Sequence, residues 1–263
     1  MKRSVIIVAG GKGLRMGGDL PKQFIPVQGK PLLMHTMGVF YRWDATVDLL
    51  TVIPEEHASY WNMLCRELNF SIAHRVVYGG ETRFHSVRNG LHEVEGDGLI
   101  AIHDGVRPYV TPDVITSCFK AAEMYGAAIP VVPMVESVRE IMADESAKGR
   151  RGEGAKGRKG EGKKGRKEEG AKGQMYDSCE SRTFDRSRLC IVQTPQVFRS
   201  DILRIAYEQP YSEMFTDDAS VVEAAGYPIR LVEGNRENIK ITTPTDLEKL
   251  PLCTSVSPLC NSV

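Results

Sequence analysis

Short apolar runs alternate along the first half of this chain with stretches whose apolar residues return every three or four positions, and few folds accommodate that rhythm. The runs occupy residues 5–9, 49–53, 73–78, 99–103 and 127–133, each of strand length. Between them, residues 32–41, 55–68, 83–94 and 112–125 carry the helical period. Single helices between successive strands imply right-handed crossovers, which build a parallel sheet covered by helices on both faces. Thr111, Pro112 and Asp113 supply a helix start and Gly126 a helix stop. The expected class is therefore α/β, with a Rossmann-like, mostly parallel sheet. Ligands of such sheets sit beyond the carboxyl ends of the strands, so the loops after each run are where chemistry is sought.

Past Pro133 the rhythm changes. Residues 135–142 and 183–192 have strand character, and together they outline a protruding β-hairpin arm over 135–192 within a single domain spanning 1–250. Helical signal returns at 201–207 and 217–225, followed by a short strand at 229–232 and a helix from Pro244. Residues 251–263 are aperiodic and expected to fray.

Between the two arm strands lies a strip, 145–173, built of Lys, Arg, Gly and Glu with no Val, Ile, Leu, Phe, Tyr or Trp. Without apolar surface to bury it cannot offset its ordering entropy, and it is expected to be a disordered insertion. It holds 11 Lys and Arg against 5 Glu, a net charge of +6, so the zero formal charge of the 263-residue chain hides a globule of −6. Aromatic platforms that could stack on bases are missing from the strip, which argues against nucleic acid as its partner.

No run of about 18 apolar residues suggests a membrane span. Lys2 and Arg3 ahead of Val5-Ile6-Ile7-Val8-Ala9 imitate a signal peptide, but the apolar run is short and glycines follow at once; a buried strand fits better. Six scattered cysteines without a C-x-x-C pair read as reduced thiols of a cytoplasmic protein. The six histidines show no zinc spacing.

The first loop has the densest chemical signal: Ala9-Gly10-Gly11-Lys12-Gly13-Leu14-Arg15-Met16, then Pro21-Lys22-Gln23. Glycines let backbone N–H groups approach a polyphosphate and form an anion nest. A dinucleotide fingerprint starting at Gly11 needs glycine where Met16 stands. A Walker A loop needs Ser or Thr after Gly-Lys, but Gly13 and Pro31 occupy those places. What remains is a glycine loop with two cations, Arg15 and Lys22, or a glycine-rich turn with no ligand.

Six segments in order then resemble one family. G-G-x-G-x-R-M with P-K-Q is similar to nucleotidyltransferases of the glycosyltransferase-A-type fold. Gly79-Gly80-Glu81-Thr82-Arg83 through Ser86-Val87, His103-Asp104 with Arg107-Pro108, and Thr194-Pro195-Gln196 with Phe198 match segments of cytidylyltransferases. Thr216-Asp217-Asp218-Ala219-Ser220 and Asn238-Ile239-Lys240-Ile241-Thr242 complete the set. Together they resemble the 2-C-methyl-D-erythritol 4-phosphate cytidylyltransferases of the non-mevalonate isoprenoid pathway.

The resemblance implies transfer of a cytidylyl group from CTP to methylerythritol phosphate, with pyrophosphate released and Mg²⁺ held mainly by the CTP phosphates near Asp104. It implies that Arg15 and Lys22 stabilise the transition state, while Arg186 and Lys240 clamp the acceptor in line, with Arg188 as the fallback for Arg186. Ala9, Gly10, Gly11 and Gly13 would cover ribose and phosphates. Gly80, Glu81 and Ser86 would read cytosine, with Asp104 at the ribose–phosphate side. Arg107, Ser137 and Thr216 would complete the acceptor pocket. A homodimer with exchanged arms would bring Ser137 and Arg186 to the neighbouring subunit.

Ribitol 5-phosphate is the alternative acceptor, since enzymes acting on it share the glycine loop and the T-P-Q segment. Outside these roles, Arg83 and Arg88 read as cations flanking a helix. Asp217-Asp218 reads as an acidic helix start capped at Thr216, and His103 as a strand-end packing or ribose-side residue rather than a metal ligand.

Overall fold

The computed structural model describes residues 1–10, 20–142 and 180–248. The basic strip at 145–173 and the tail at 251–263 lie outside them. Two compact units are formed: residues 133–190 make one, and the flanking parts of the chain make the other.

The larger unit opens with β1 (Lys2–Val8), a 3₁₀ turn at Lys22–Phe24, and the small hairpin β2 (Pro26–Val27) and β3 (Lys30–Pro31). Then follow α1 (Leu32–Trp43), β4 (Asp48–Ile53), α2 (Ala58–Glu67), β5 (Arg75–Tyr78), α3 (Arg83–His92), β6 (Gly98–Asp104), α4 (Pro112–Tyr125) and β7 (Ala127–Pro133). After β8 (Arg139–Ile141) and β9 (Ser181–Thr183) of the smaller unit come β10 (Cys190–Val192), β11 (Gln196–Arg199), α5 (Ser200–Tyr207), α6 (Asp218–Ala224), β12 (Arg230–Glu233) and α7 (Pro244–Glu248).

The main sheet runs β10-β7-β11-β6-β1-β4-β5, with β12 joined to β7. β1 pairs in parallel with β4 and β6, and β4 with β5. β11 runs antiparallel to β6 and β7. Its four residues are too few for a periodic signal.

Alternation along the strands divides the core in two. Val5 and Ile7 of β1, Leu49 and Ile53 of β4, Leu99 and Ala101 of β6, and Val197 of β11 pack on one face with residues of α1 and α4. Ile6, Leu50, Val52, Ile100, Ile102 and Phe198 point the other way, onto α3, α5 and α6. Apolar runs covered on both sides are what a sandwiched parallel sheet demands. α4 starts at a Thr111 cap and ends at Gly126, whose φ of +93° suits glycine.

In the smaller unit β8 and β9 pair antiparallel, Glu140 opposite Arg182. The strand expected over 183–192 is interrupted by a 3₁₀ turn at Arg186–Arg188. Asp185 accepts from the Ser187 N–H at 3.0 Å, giving the backbone a local alternative to the ladder. The strand expected over 135–142 narrows to Arg139–Ile141. The Val135 carbonyl accepts from the Arg186 guanidinium, and that of Val138 from the Phe184 N–H.

Candidate active site

The carboxyl end of β6 is the centre of the site. His103 and Asp104 end the strand, and the chain turns back when the Arg107 N–H donates to the Asp104 carbonyl at 3.1 Å. Gly105 donates to the Val8 carbonyl at 2.9 Å, tying this turn to the end of β1 and so to Ala9 and Gly10.

His103 is fully buried and both its nitrogens are used. Nε2 lies 3.0 Å from the Arg107 carbonyl, which can only accept, so Nε2 carries the proton. Nδ1 therefore accepts from Thr194 Oγ1 at 3.0 Å, while that hydroxyl accepts from the Asp104 N–H at 3.1 Å. Burial holds the His103 pKa down at about 4. Of the two roles open to it, packing and a ribose-side contact, its complete burial and engaged nitrogens favour packing.

Asp104 gathers cations. Its Oδ2 receives Arg107 Nε at 3.0 Å and Lys240 Nζ at 3.2 Å, and Arg83 Nε stands 4.0 Å from Oδ1. Burial alone would raise this carboxyl's pKa. The charges of Lys240, Arg83 and Arg107, with the hydrogen bond from Arg107, outweigh it and hold the group well below the usual carboxylate range.

Lys240 reaches this point because its loop is stitched to β6's turn. Arg107 donates to the Asn238 carbonyl at 2.8 Å, Ile241 N–H to the Val106 carbonyl at 3.0 Å, and the Asn235 amide to the Tyr109 carbonyl at 2.8 Å. Buried Asn238 also donates to the Thr194 carbonyl at 2.8 Å. Lys22 joins the same loop from the other side, its Nζ donating to the Thr242 carbonyl at 2.9 Å. The 3₁₀ turn that presents Lys22 is anchored by Phe24, buried against Tyr60 and Trp61.

The Gly79–Ser86 loop forms a neighbouring wall. Gly79 donates to the Ile53 carbonyl at 2.8 Å, and Gly80 to Ser86 Oγ at 3.0 Å. Ser86 Oγ in turn donates to the Thr82 carbonyl at 2.9 Å, so the hydroxyl closes the loop. A Cβ on Gly80 would stand 2.5 Å from His85 Cβ, closer than packing permits. A Cβ on Gly10 would lie 3.9 Å from Ser86 Oγ, so the Ala9-Gly10 end of β1 abuts this loop. The Glu81 side chain is exposed.

Of the residues singled out in the sequence, the structure groups Ala9, Gly10, Lys22, Gly80, Ser86, Asp104, Arg107 and Lys240 in one unit. Gly11, Gly13 and Arg15 lie outside the described residues. Ser137 and Arg186 are exposed residues of the smaller unit, and Arg188 shares the 3₁₀ turn of Arg186.

Thr216 is exposed and does not cap α6. Asp217 does, accepting from the Ser220 N–H at 2.9 Å while the Ser220 hydroxyl bonds back, a capping box. Arg83 is no mere helix flank: it grips fully buried Asp218 through both oxygens at 2.8 and 2.6 Å. These two residues are 135 positions apart, and periodicity carries no signal of such a pairing.

The family model for 2-C-methyl-D-erythritol 4-phosphate cytidylyltransferase (IspD) matches residues 4–150 and 171–251, leaving 151–170 of the basic strip unmatched. A cytidylyltransferase of that name from Bacteroides thetaiotaomicron is 49% identical over 248 residues, 94% of this chain and 97% of the relative. Another from Alkaliphilus metalliredigens is 36% identical, covering 94% of this chain and 90% of its own length. Among solved structures, the enzyme of this name from Thermus thermophilus superposes with a TM-score of 0.65 at 28% identity, over 95% of this chain and 97% of that one. The Francisella tularensis enzyme gives 0.69 at 27%, over 95% and 98%. A match in order from the first strand to the last helix, on a shared fold, settles the relationship: this chain belongs to the 2-C-methyl-D-erythritol 4-phosphate cytidylyltransferase family.

Proposed function

We propose that this chain transfers a cytidylyl group from CTP to 2-C-methyl-D-erythritol 4-phosphate, giving 4-diphosphocytidyl-2-C-methylerythritol and pyrophosphate. The acceptor's phosphate oxygen attacks the α-phosphorus of CTP. The bond from that phosphorus to the bridging oxygen breaks, and pyrophosphate leaves with the electron pair. The nucleophile is already anionic near neutral pH, because a phosphate monoester's second pKa is about 6. No general base is needed, and His103, with both nitrogens engaged, supports a site without one.

The barrier is repulsion between two polyanions, met by cations held where charge develops. The observation behind this reading is the set of Lys240, Arg107 and Arg83 around one buried carboxylate at the end of β6. Asp104 keeps these cations in place before substrate arrives. In this reading Lys240 and Arg107 receive the acceptor phosphate, with Thr216 beside them. Lys22 serves the triphosphate together with Arg15. The Gly80 loop, with Glu81 and Ser86, faces cytosine, and Ala9 and Gly10 with Gly11 and Gly13 lie along ribose and phosphates.

A divalent cation such as Mg²⁺, held by Asp104 together with the nucleotide's phosphates, would neutralise charge on the leaving group. Asp104 is a single carboxylate with Oδ1 less engaged than Oδ2, which suits an ion whose other ligands are phosphates. No cluster of three His, Cys, Asp or Glu among the described residues offers a protein cage.

The smaller unit is proposed to be the arm of a homodimer, its Ser137 and Arg186 serving the neighbouring subunit's acceptor pocket. A cytoplasmic setting agrees with Cys65, Cys118 and Cys190 being free thiols. Among the described residues no helix is long and apolar enough to cross a membrane.

Pyrophosphate release measured with CTP and either methylerythritol phosphate or ribitol 5-phosphate tests the reading. The expected result is turnover dominated by methylerythritol phosphate. Preference for ribitol phosphate, or no use of CTP with either acceptor, overturns it.

A further inference from the structure

A buried ion pair runs behind the substrate cations. Asp218, at the start of α6, is fully buried; both its oxygens accept from Arg83, and Oδ1 also accepts from the Tyr207 hydroxyl at 2.6 Å. Packing alone gives no reason for this arrangement, since apolar residues of similar volume commonly serve a core at least as well as a buried ion pair. Its value must be sought in what it positions.

Arg83 is the first residue of α3, directly after the Gly79–Thr82 loop. Asp218 directly follows Thr216 and Asp217, and Gln196 fixes that turn by accepting from the Ala219 N–H at 2.8 Å and donating to Asp217 at 2.8 Å. The guanidinium spans the two segments and presents its Nε 4.0 Å from Asp104 Oδ1. Asp104 holds Arg107 and Lys240 on its opposite oxygen. Two carboxylates and three cations thus form one chain of contacts, with one positive charge left over.

We propose that Arg83 is a positioning residue for cytidylyl transfer, locked by Asp218 and Tyr207 so that it fixes the angle of Asp104 and, through it, the placement of Arg107 and Lys240. Released from this lock, the fork turns to Asp104, whose oxygens suit it bidentately. The carboxylate then rotates away from Arg107 and Lys240. The acceptor side of the site suffers most, because those two cations receive the acceptor phosphate. This rests on the function proposed above.

Tyr207→Phe is the decisive variant. Its ring is retained, stacked on Phe84 at 4.8 Å and 18°, while the hydrogen bond that steadies Asp218 is lost. Arg83→Gln removes the fork itself. Steady-state kinetics with each substrate varied are expected to show kcat lowered roughly tenfold or more in Arg83→Gln and several-fold in Tyr207→Phe. In both, KM for the acceptor rises about fivefold or more while KM for CTP stays within about twofold.

A purely structural role would lower only the amount of active enzyme, reducing apparent kcat with both KM values unchanged. That result, or unaltered kinetics, in folded Tyr207→Phe overturns the proposal, and this variant decides the matter should Arg83→Gln fail to fold. A wild-type protein that turns over no CTP refutes the function and this proposal together. An active wild type with an unaffected Tyr207→Phe refutes the positioning role alone.

Discussion

Acidification reaches His103 before it reaches Asp104. In the folded protein the imidazole is neutral, its pKa held at about 4 by burial. In the unfolded chain the value returns to about 6.5. Between those limits the unfolded state binds the additional proton, so this contribution to stability is fully present above about pH 6.5 and is lost as pH falls toward about 4. At about 1.4 kcal/mol per unit, the interval corresponds to about 3 kcal/mol, a large share of a typical total of about 5–15.

Burial is why the proton is refused: an imidazolium in the core forfeits its hydration. The Thr194 hydroxyl lies 3.0 Å from Nδ1, within reach to donate to the neutral ring. Urea unfolding of wild type and His103→Gln at intervals from about pH 7 to about 4.5 checks this. Wild type should lose on the order of 2–3 kcal/mol over that range, and His103→Gln, which has nothing to protonate there, should show a much flatter profile. Equal slopes in the two proteins would refute the argument.

Lys240→Ala should lower kcat/KM for the acceptor by about 10²-fold, read in the pyrophosphate-release assay, because it removes one of the two cations on Asp104 Oδ2. Gly80→Ala forces a Cβ to within 2.5 Å of His85 Cβ, so the loop must shift. The expected outcome is a loss of roughly 1–3 kcal/mol in chemical denaturation and a raised KM for CTP. Excision of residues 151–170, which the family model leaves unmatched, should keep cytidylyl transfer within about twofold of wild type. Steeply salt-dependent RNA binding lost on that excision would assign the strip a different role.

The amino-acid order determined the layered architecture. Val5, Ile6 and Ile7 can all be buried only if both faces of their strand are covered, and the helical periods between the runs supply the covers. Asp104, Arg107 and Lys240 were singled out by short segments that resemble the family, and the structure brings the three side chains together. Strand β11 leaves no periodic mark in the sequence, because four residues between two neighbours need little pattern of their own.

Pairings across the chain belonged to the tertiary structure alone. Lys22 meets the Thr242 carbonyl across 220 positions, and Arg83 meets Asp218 across 135. Periodicity reports which face a residue turns to the core; it says nothing about which loop will stand opposite. That choice follows from strand order, and strand order is set by the packing of the whole sheet, so an arginine that begins a helix becomes part of the candidate site's charge balance.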